Sequence, residues 1–367
     1  MSNPVSQAVR LDLSSDVVTL TRALCDIPSV SGDERVIADA VEAALRGCTH
    51  LEVLRDGDAV VARTRLGHPQ RVVIAGHLDT VPIAANLPTW TTGEGDDELV
   101  HGRGTADMKA GVAVQLRLAA TVPEPVRDVS YVFYDNEEVE AVRNGLGRLA
   151  RTHPDWLAGD FAVLMEPSSA RVEGGCQGTM RVEVETTGIA AHSARSWTGR
   201  NAIHAVEPVL AVLTGYTARE VDVEGLVYRE GLNAVGISGG IAGNVIPDEC
   251  MVHVNYRFAP SLTAAEAVAH LEELFAGFDI TVVDLAEGAR PGLDAPLAIK
   301  FLDAVGAEPR PKYGWTDVAR FSALGIPAVN YGPGDPLKAH ADDERVALSQ
   351  ITDCEDALRA WLTAPIG

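Results

Sequence analysis

The sequence has no long hydrophobic run. No stretch approaches the roughly 18 uninterrupted apolar residues of a membrane-spanning helix, so no such helix is expected. Its opening, MSNPVSQAVRLDLSSD, lacks a basic patch followed by an apolar stretch and does not read as a secretory signal. Cysteines are few and odd in number: Cys25, Cys48, Cys176, Cys250 and Cys354, with no C-x-x-C pair. That disfavours a disulfide framework or a thiolate zinc site and fits a reducing cytoplasm. Basic residues are outnumbered, 30 against 52 acidic ones, for a net charge of −22. Such a charge repels nucleic acid and anionic membrane surfaces. It suits an enzyme whose acids gather where cations bind.

What is present is enough apolar sequence, 46% of 367 residues, for two or three lobes. SSDVVTLTRALCDI and SGDERVIADAVEAALRG open on cap-type residues and continue with helical apolar spacing. LEVLRDGDAVVART reads as a hairpin turning at glycine. Three apolar strands follow, RVVIAGH, RDVSYVFYDNEE and DFAVLMEP, with a helix, DMKAGVAVQLRLAATV, after the first. Strands alternating with helices predict an α/β domain with a mostly parallel sheet. After about residue 175 the pattern becomes β-α-β-β-α-β, from TMRVEVETTG to DITVVDLAEG, a ferredoxin-like two-layer unit. Helix and loop resume from about 290. The expected organisation is a catalytic α/β domain of residues 1–175 and 290–367, interrupted by an inserted domain of residues 176–289.

The three strands all end in metal-ligand chemistry. VVIAGHLDTVP ends in His77 and Asp79, which alternation places on one side of the chain. That pair suits an imidazole ligand and the carboxylate that orients it. The other strand ends carry Glu137 with Glu138, and Glu166. Sites in open α/β sheets form beyond the carboxyl ends of the strands, so these groups can converge. GRGTADMKAG places Asp107 just before a helix start, as an N-cap or as a ligand. GPGDPLKAHADDE places His340 in a late Gly/Pro loop. His77, His340, Asp107, Glu138 and Glu166 suit two divalent metals sharing one carboxylate, and the nitrogen and oxygen donors favour zinc.

In this order, GHLDTVP, GRGTADMKAG, DNEE, MEP and AHADDE closely resemble the M20 family of dinuclear zinc peptidases and amidohydrolases. The resemblance extends over nearly the whole chain. It implies that Asp107 bridges two ions, that His77 and Glu166 complete one site, and that Glu138 and His340 complete the other. It makes Asp79 the buttress of His77 and Glu137 the general base. Zinc is the implied ion, with cobalt as a substitute.

In the inserted domain, His192 in TGIAAHSARSW would reach a neighbouring subunit's site and stabilise the oxyanion. The resemblance thus implies a homodimer formed through that domain. Asn244 and Arg257 would lie near substrate carboxylates. Finer stretches, including GGCQGTMRVEVE and KYGWTDVARFSALGIPAVNYGPGDP, resemble the actinobacterial members that hydrolyse N-succinyl-L,L-2,6-diaminopimelate on the route to lysine and diaminopimelate. Thr179, Thr316 and Arg320 become candidate substrate contacts. The chain departs from proteobacterial members, which carry Arg-Arg-Gly-Ser where Cys176-Gln177-Gly178-Thr179 stands here. The rival expectations are another N-acyl-amino-acid deacylase, such as an acetylornithine deacetylase or aminoacylase, or a carboxypeptidase. A non-catalytic scaffold would have lost the base or a ligand, and all are present.

Overall fold

The computed structural model describes residues 9–306 and 308–365. The first eight residues, part of the opening segment read above as no secretory signal, lie outside the described residues. The described residues form two compact units: 9–174, 292–306 with 308–310, and 320–365 in the first, and 175–291 with 311–319 in the second. None of the described helices is long and apolar enough to cross a membrane.

The first unit is built on a mixed sheet with a parallel centre. Four strands lie side by side in the order Asp128–Tyr134, Arg71–His77, Phe161–Leu164 and Ala328–Asn330. Every neighbouring pair among them is parallel. The hairpin Glu52–Asp56 and Ala59–Arg63 adds an antiparallel flank beside Asp128–Tyr134, turning at Gly57. All seven residues of Asp128–Tyr134 are buried, as a central strand covered on both faces requires. The helix Lys109–Thr121 is buried along most of its length and packs against Val17–Cys25 and the closing helix Leu348–Thr363. A small antiparallel sheet of Trp90–Thr92, Leu99–His101 and Arg345–Ala347 joins two distant parts of this unit.

The second unit is a four-stranded antiparallel sheet in the order Gly231–Gly239, Glu249–Phe258, Gly178–Thr187 and Asp279–Ala286. With the helices Glu207–Gly215 and Ala264–Leu274, the chain order is β-α-β-β-α-β. Alternate residues of the two central strands, Met180, Val182, Val184, Val252, Val254 and Tyr256, pack with Val209, Ala267 and Leu271 of the helices. The other face of these strands carries polar side chains, as the period of two demands. The hairpin Glu220–Val223 and Leu226–Arg229 is an addition to the pattern.

Two limits read from sequence shift by one or two residues, and Pro311–Ala319 lies in the second unit rather than in the closing segment. The cause is local hydrogen bonding. Gln177 N donates to Lys312 O at 3.3 Å, and Trp315 Nε1 donates to Glu287 O at 3.0 Å.

Two glycines allow the strand end at Met165–Glu166 to be approached closely. A Cβ on Gly111 would lie 2.4 Å from Met165 O, and one on Gly332 would lie 2.3 Å from the same atom. The helix after Asp107 and the loop leading to His340 therefore press on the strand end that carries Glu166. Gly111→Ala should lower the denaturation midpoint, an overpacking cost of about 1–3 kcal/mol, even though alanine is the better helix former. Gly215→Ala, with nothing within 4 Å of the new methyl, should be neutral or stabilising in the same thermal scan.

Candidate metal centre

Parallel pairing brings together the three strand ends that carry candidate ligands. His77 pairs with Tyr134 on one side, and Ala75 pairs with Leu164 on the other. Leu78 N donates to Tyr134 O at 2.8 Å, and Met165 N donates to Ala75 O at 2.9 Å. Glu137 and Glu138 therefore leave one neighbour of the His77 strand, and Glu166 leaves the other. His77 and Glu166 are buried, and Glu137 and Glu138 are partly buried.

Asp107 sits at the centre of this cup. Its Oδ1 lies 3.2 Å from His77 Nε2, and its Oδ2 lies 3.3 Å from His340 Nε2. Each carboxylate oxygen thus faces a different imidazole. Asp107 does not cap the following helix; the cap position is Met108, without a side-chain hydrogen bond. His340 Nε2 also meets Glu138 Oε1 at 2.9 Å. Ligand atoms of His77, Asp107 and Glu138 all lie within 4.8 Å of one another. His340 is half exposed and adopts a left-handed φ of 64°.

Protonation reflects this crowding. Burial alone would lower the pKa of His77, but the Asp107 and Asp79 carboxylates outweigh it and hold it well above the usual imidazole range. Hydrogen bonds to Asp107 and Glu138 raise that of His340 to about 10. Burial pushes Glu138 up, whereas the two imidazoles keep Asp107 below the ordinary carboxylate range against its burial. Without metal, protonated imidazoles balance the acids. A donor set of imidazole nitrogens and carboxylate oxygens this close together fits divalent metal, which meets the same electrostatic need.

Asp79 does more than orient His77. The closer acceptor for His77 Nδ1 is the Asp79 main-chain carbonyl at 3.0 Å, while Asp79 Oδ1 stands at 3.4 Å. The carboxylate accepts the backbone N–H of Glu137 at 3.0 Å and of Glu138 at 3.1 Å, and the Ser31 hydroxyl at 2.7 Å. Behind it, Glu34 is buried and accepts the N–H of Asn136 at 3.1 Å. Lys109 is buried nearby and donates to Ile27 O at 2.7 Å, with its pKa lowered by burial to about 8.

Sequence reasoning missed Ser31 and Glu34. It also missed Arg103 and Glu344, which are buried and paired at 2.8 Å. Their signal lies in the motifs SGDE, whose pattern reads as a helix start, and GRGTADMKAG and AHADDE, whose patterns point to ligands and kinship.

The remaining candidates form smaller groups. In the second unit, Ser193 N donates to Asn244 O at 2.9 Å, so the loop after His192 meets Asn244. His192 is exposed and its Nδ1 accepts from Ala194 N, which puts the ring proton on Nε2. Arg257 stands directly across from Thr179 on paired strands, and Asn255 Nδ2 donates to Thr179 Oγ1 at 3.4 Å. Thr316 is buried and its carbonyl receives the Cys176 thiol at 3.6 Å. In the first unit, the Arg320 guanidinium lies against Gly147.

An α/β sheet that sets one strand-end imidazole, one loop imidazole and neighbouring carboxylates around a single aspartate has the make-up of a metal-dependent hydrolase. The chain belongs to Peptidase family M20/M25/M40, whose sequence pattern it matches over residues 73–364. It is 54% identical over 355 residues to a Mycobacterium tuberculosis protein provisionally named succinyl-diaminopimelate desuccinylase DapE, covering 96% of this chain and 99% of that one. It is 46% identical over 364 residues to the succinyl-diaminopimelate desuccinylase of Corynebacterium glutamicum, covering 96% and 98%. Among solved structures, a Staphylococcus aureus tripeptidase superposes with a TM-score of 0.76 at 19% identity, covering 94% of this chain and 96% of that one. A dinuclear metal-binding M20 peptidase from Bacillus subtilis superposes at 0.68 and 17% identity, covering 94% and 96%.

Asp79→Asn tests the anchoring role. An amide keeps one acceptor but turns an NH2 toward a backbone N–H, leaving buried donors unsatisfied at about 1–3 kcal/mol. Chelator competition should show metal affinity reduced roughly 10- to 100-fold, as for outer-shell partners generally. Parent-like affinity would remove the carboxylate from the support of the ligands.

Proposed function

We infer that this chain hydrolyses N-succinyl-L,L-2,6-diaminopimelate to succinate and L,L-diaminopimelate, in lysine and diaminopimelate biosynthesis. The carrying observation is identity of 54% and 46%, over nearly the full chain, to proteins bearing that name. The complete constellation in the first unit supports it. Two divalent ions would be held there, one by His77, Asp107 and Glu166, the other by Asp107, Glu138 and His340. Zinc suits the donors, with cobalt as a substitute. When bound, the ions supply Lewis-acid chemistry, acidifying water and polarising the scissile amide carbonyl.

Glu137 is the general base. It takes a proton from the attacking water and delivers it to the leaving amine nitrogen. Its backbone N–H is fixed by Asp79, so its carboxylate swings from an anchored point. Arg257 grips a substrate carboxylate through its planar fork, with Thr179 beside it. Partial burial lowers the pKa of Arg257, and the Asp284 carboxylate acts in the opposite direction. Asn244 and Thr316 donate neutral hydrogen bonds to the substrate. Arg320 is the least supported contact, because its guanidinium rests against Gly147.

The second unit forms a homodimer interface in this reading, and His192 acts across subunits on the oxyanion. The exposed apolar side chains Val235, Ile237 and Ile241, on or just after the edge strand Gly231–Gly239, support pairing there. The compartment in this reading is the cytoplasm, which suits five cysteines that are all free.

Two measurements test these roles. Glu137→Ala should abolish turnover with metal content nearly unchanged, whereas Glu138→Ala should lose metal as well; identical behaviour would merge the two roles. Succinyl-diaminopimelate should be turned over faster than acetylornithine. Arg257→Lys, which keeps the charge and loses the fork, should lower kcat/KM at least about tenfold, or ~1.4 kcal/mol. Acetylornithine as the better substrate would overturn the assignment.

A further inference from the structure

Glu344 and Arg103 touch both halves of the metal cup without being ligands. Glu344 is 1% exposed and Arg103 is 3% exposed. Glu344 Oε1 accepts the backbone N–H of Ala106 at 3.0 Å and of Asp107 at 3.1 Å. Its Oε2 takes Arg103 Nη1 at 2.8 Å. The same Arg103 nitrogen donates to Ala341 O at 3.2 Å, and Arg103 Nε donates to Pro82 O at 3.1 Å. Glu344 N closes the turn onto Ala341 O at 3.2 Å, and Gly102 N donates to Glu344 O at 3.0 Å. Ala341 directly follows His340. The pair therefore joins the segment that carries Asp107 to the turn that carries His340.

We propose that Glu344 and Arg103 are positioning residues that set the spacing between Asp107 and His340, and so tune one of the two metal subsites selectively. The proposal rests on the two-ion reading above. The other subsite is braced differently. His77 is held by the Asp79 carbonyl, and Glu166 follows a parallel strand under Gly111 and Gly332. Neither support passes through Glu344. His340 has no comparable strand behind it: it is half exposed, in a loop with left-handed backbone. Its placement depends on where the turn to Glu344 is tied. An amide at position 344 still accepts from the two N–H groups but no longer offers Arg103 a charge, so the tie loosens on the His340 side. Lysine at position 103 keeps a charge but cannot reach Glu344, Ala341 and Pro82 together in the fork geometry of arginine.

The test is zinc uptake by the metal-free chain against a competing chelator, with folding followed by circular dichroism. The parent should take up two ions. Glu344→Gln and Arg103→Lys should each keep one at parental affinity and weaken the other about 10- to 100-fold, the range for outer-shell partners. On a His340→Ala background, Glu344→Gln should change the remaining ion no further. Equal weakening of both ions, or no change in a folded variant, would overturn the proposal. Should Glu344→Gln not fold, Arg103→Lys decides by the same comparison. A parent that takes up a single ion refutes the two-ion reading itself, before any variant is made.

Discussion

The first unit must hold several carboxylates within a few ångströms of one another in a largely buried cup, and everything around the cup answers that need. Asp107, Glu138 and Glu166 gather about His77, with Asp79 buried directly behind it. Burial raises the free energy of each charge, and each neighbouring acid raises it further. Cations must compensate. In the protein alone they are the protonated imidazoles of His77 and His340, and in the working enzyme divalent ions take over that task. Protons on the two imidazoles and divalent ions are thus alternative ways of meeting one electrostatic demand, which is the physical content of the site's fit to metal.

Rigidity comes from acids outside the proposed ligand set. Asp79, Glu34 and Glu344 each spend their oxygens on backbone N–H groups of ligand-bearing turns: Asp79 on residues 137 and 138, Glu34 on 136, Glu344 on 106 and 107. This arrangement serves two ends. It satisfies buried donors in irregular backbone, where no strand or helix can do so. It also makes the ligand carboxylates move with the sheet, so their spacing is inherited from parallel strand pairing rather than from loop entropy.

Sequence made the candidate ligands legible because apolar strands that end abruptly in His, Asp or Glu are unusual, and three such ends in one α/β chain converge by topology alone. His340 and Asp107 were legible through their glycine-rich surroundings. The braces were not. Glu34 and Glu344 look like ordinary polar residues in SGDE and ADDE, and only burial at 1% separates them from solvated acids. Asp79 was legible as an orienter of His77 because the H-x-D spacing encodes that contact. Its hold on residues 137 and 138 is a contact across 58 and 59 positions that no local pattern records. The same holds for Pro311–Ala319, whose membership in the second unit is set by hydrogen bonds to residues 177 and 287. The β-α-β-β-α-β order was legible from periodicity, but the extra hairpin at 220–229 was not, since two four-residue strands carry too little alternation to stand out.

Charge raises a last physical question, since the substrate inferred here is a polyanion and the chain carries −22. The conflict is weaker than the sum suggests. At physiological ionic strength the Debye length is about 8 Å, so most of the acidic surface is screened from an approaching solute. Some of the acids are also paired locally, as with Glu230 on Arg219, or Asp39, Glu42 and Asp58, which share the one charge of Arg55. What a bound anion feels is set within a few ångströms. On the polar face of the second unit's sheet, Arg257 sits beside Thr179 and Asn255, neutral donors that add no repulsion. In the first unit, divalent ions would offset the carboxylates that hold them. Selectivity for an anionic substrate therefore needs no basic surface. It needs a few cations placed where water is displaced, because there, at low effective dielectric, a single guanidinium outweighs many screened carboxylates.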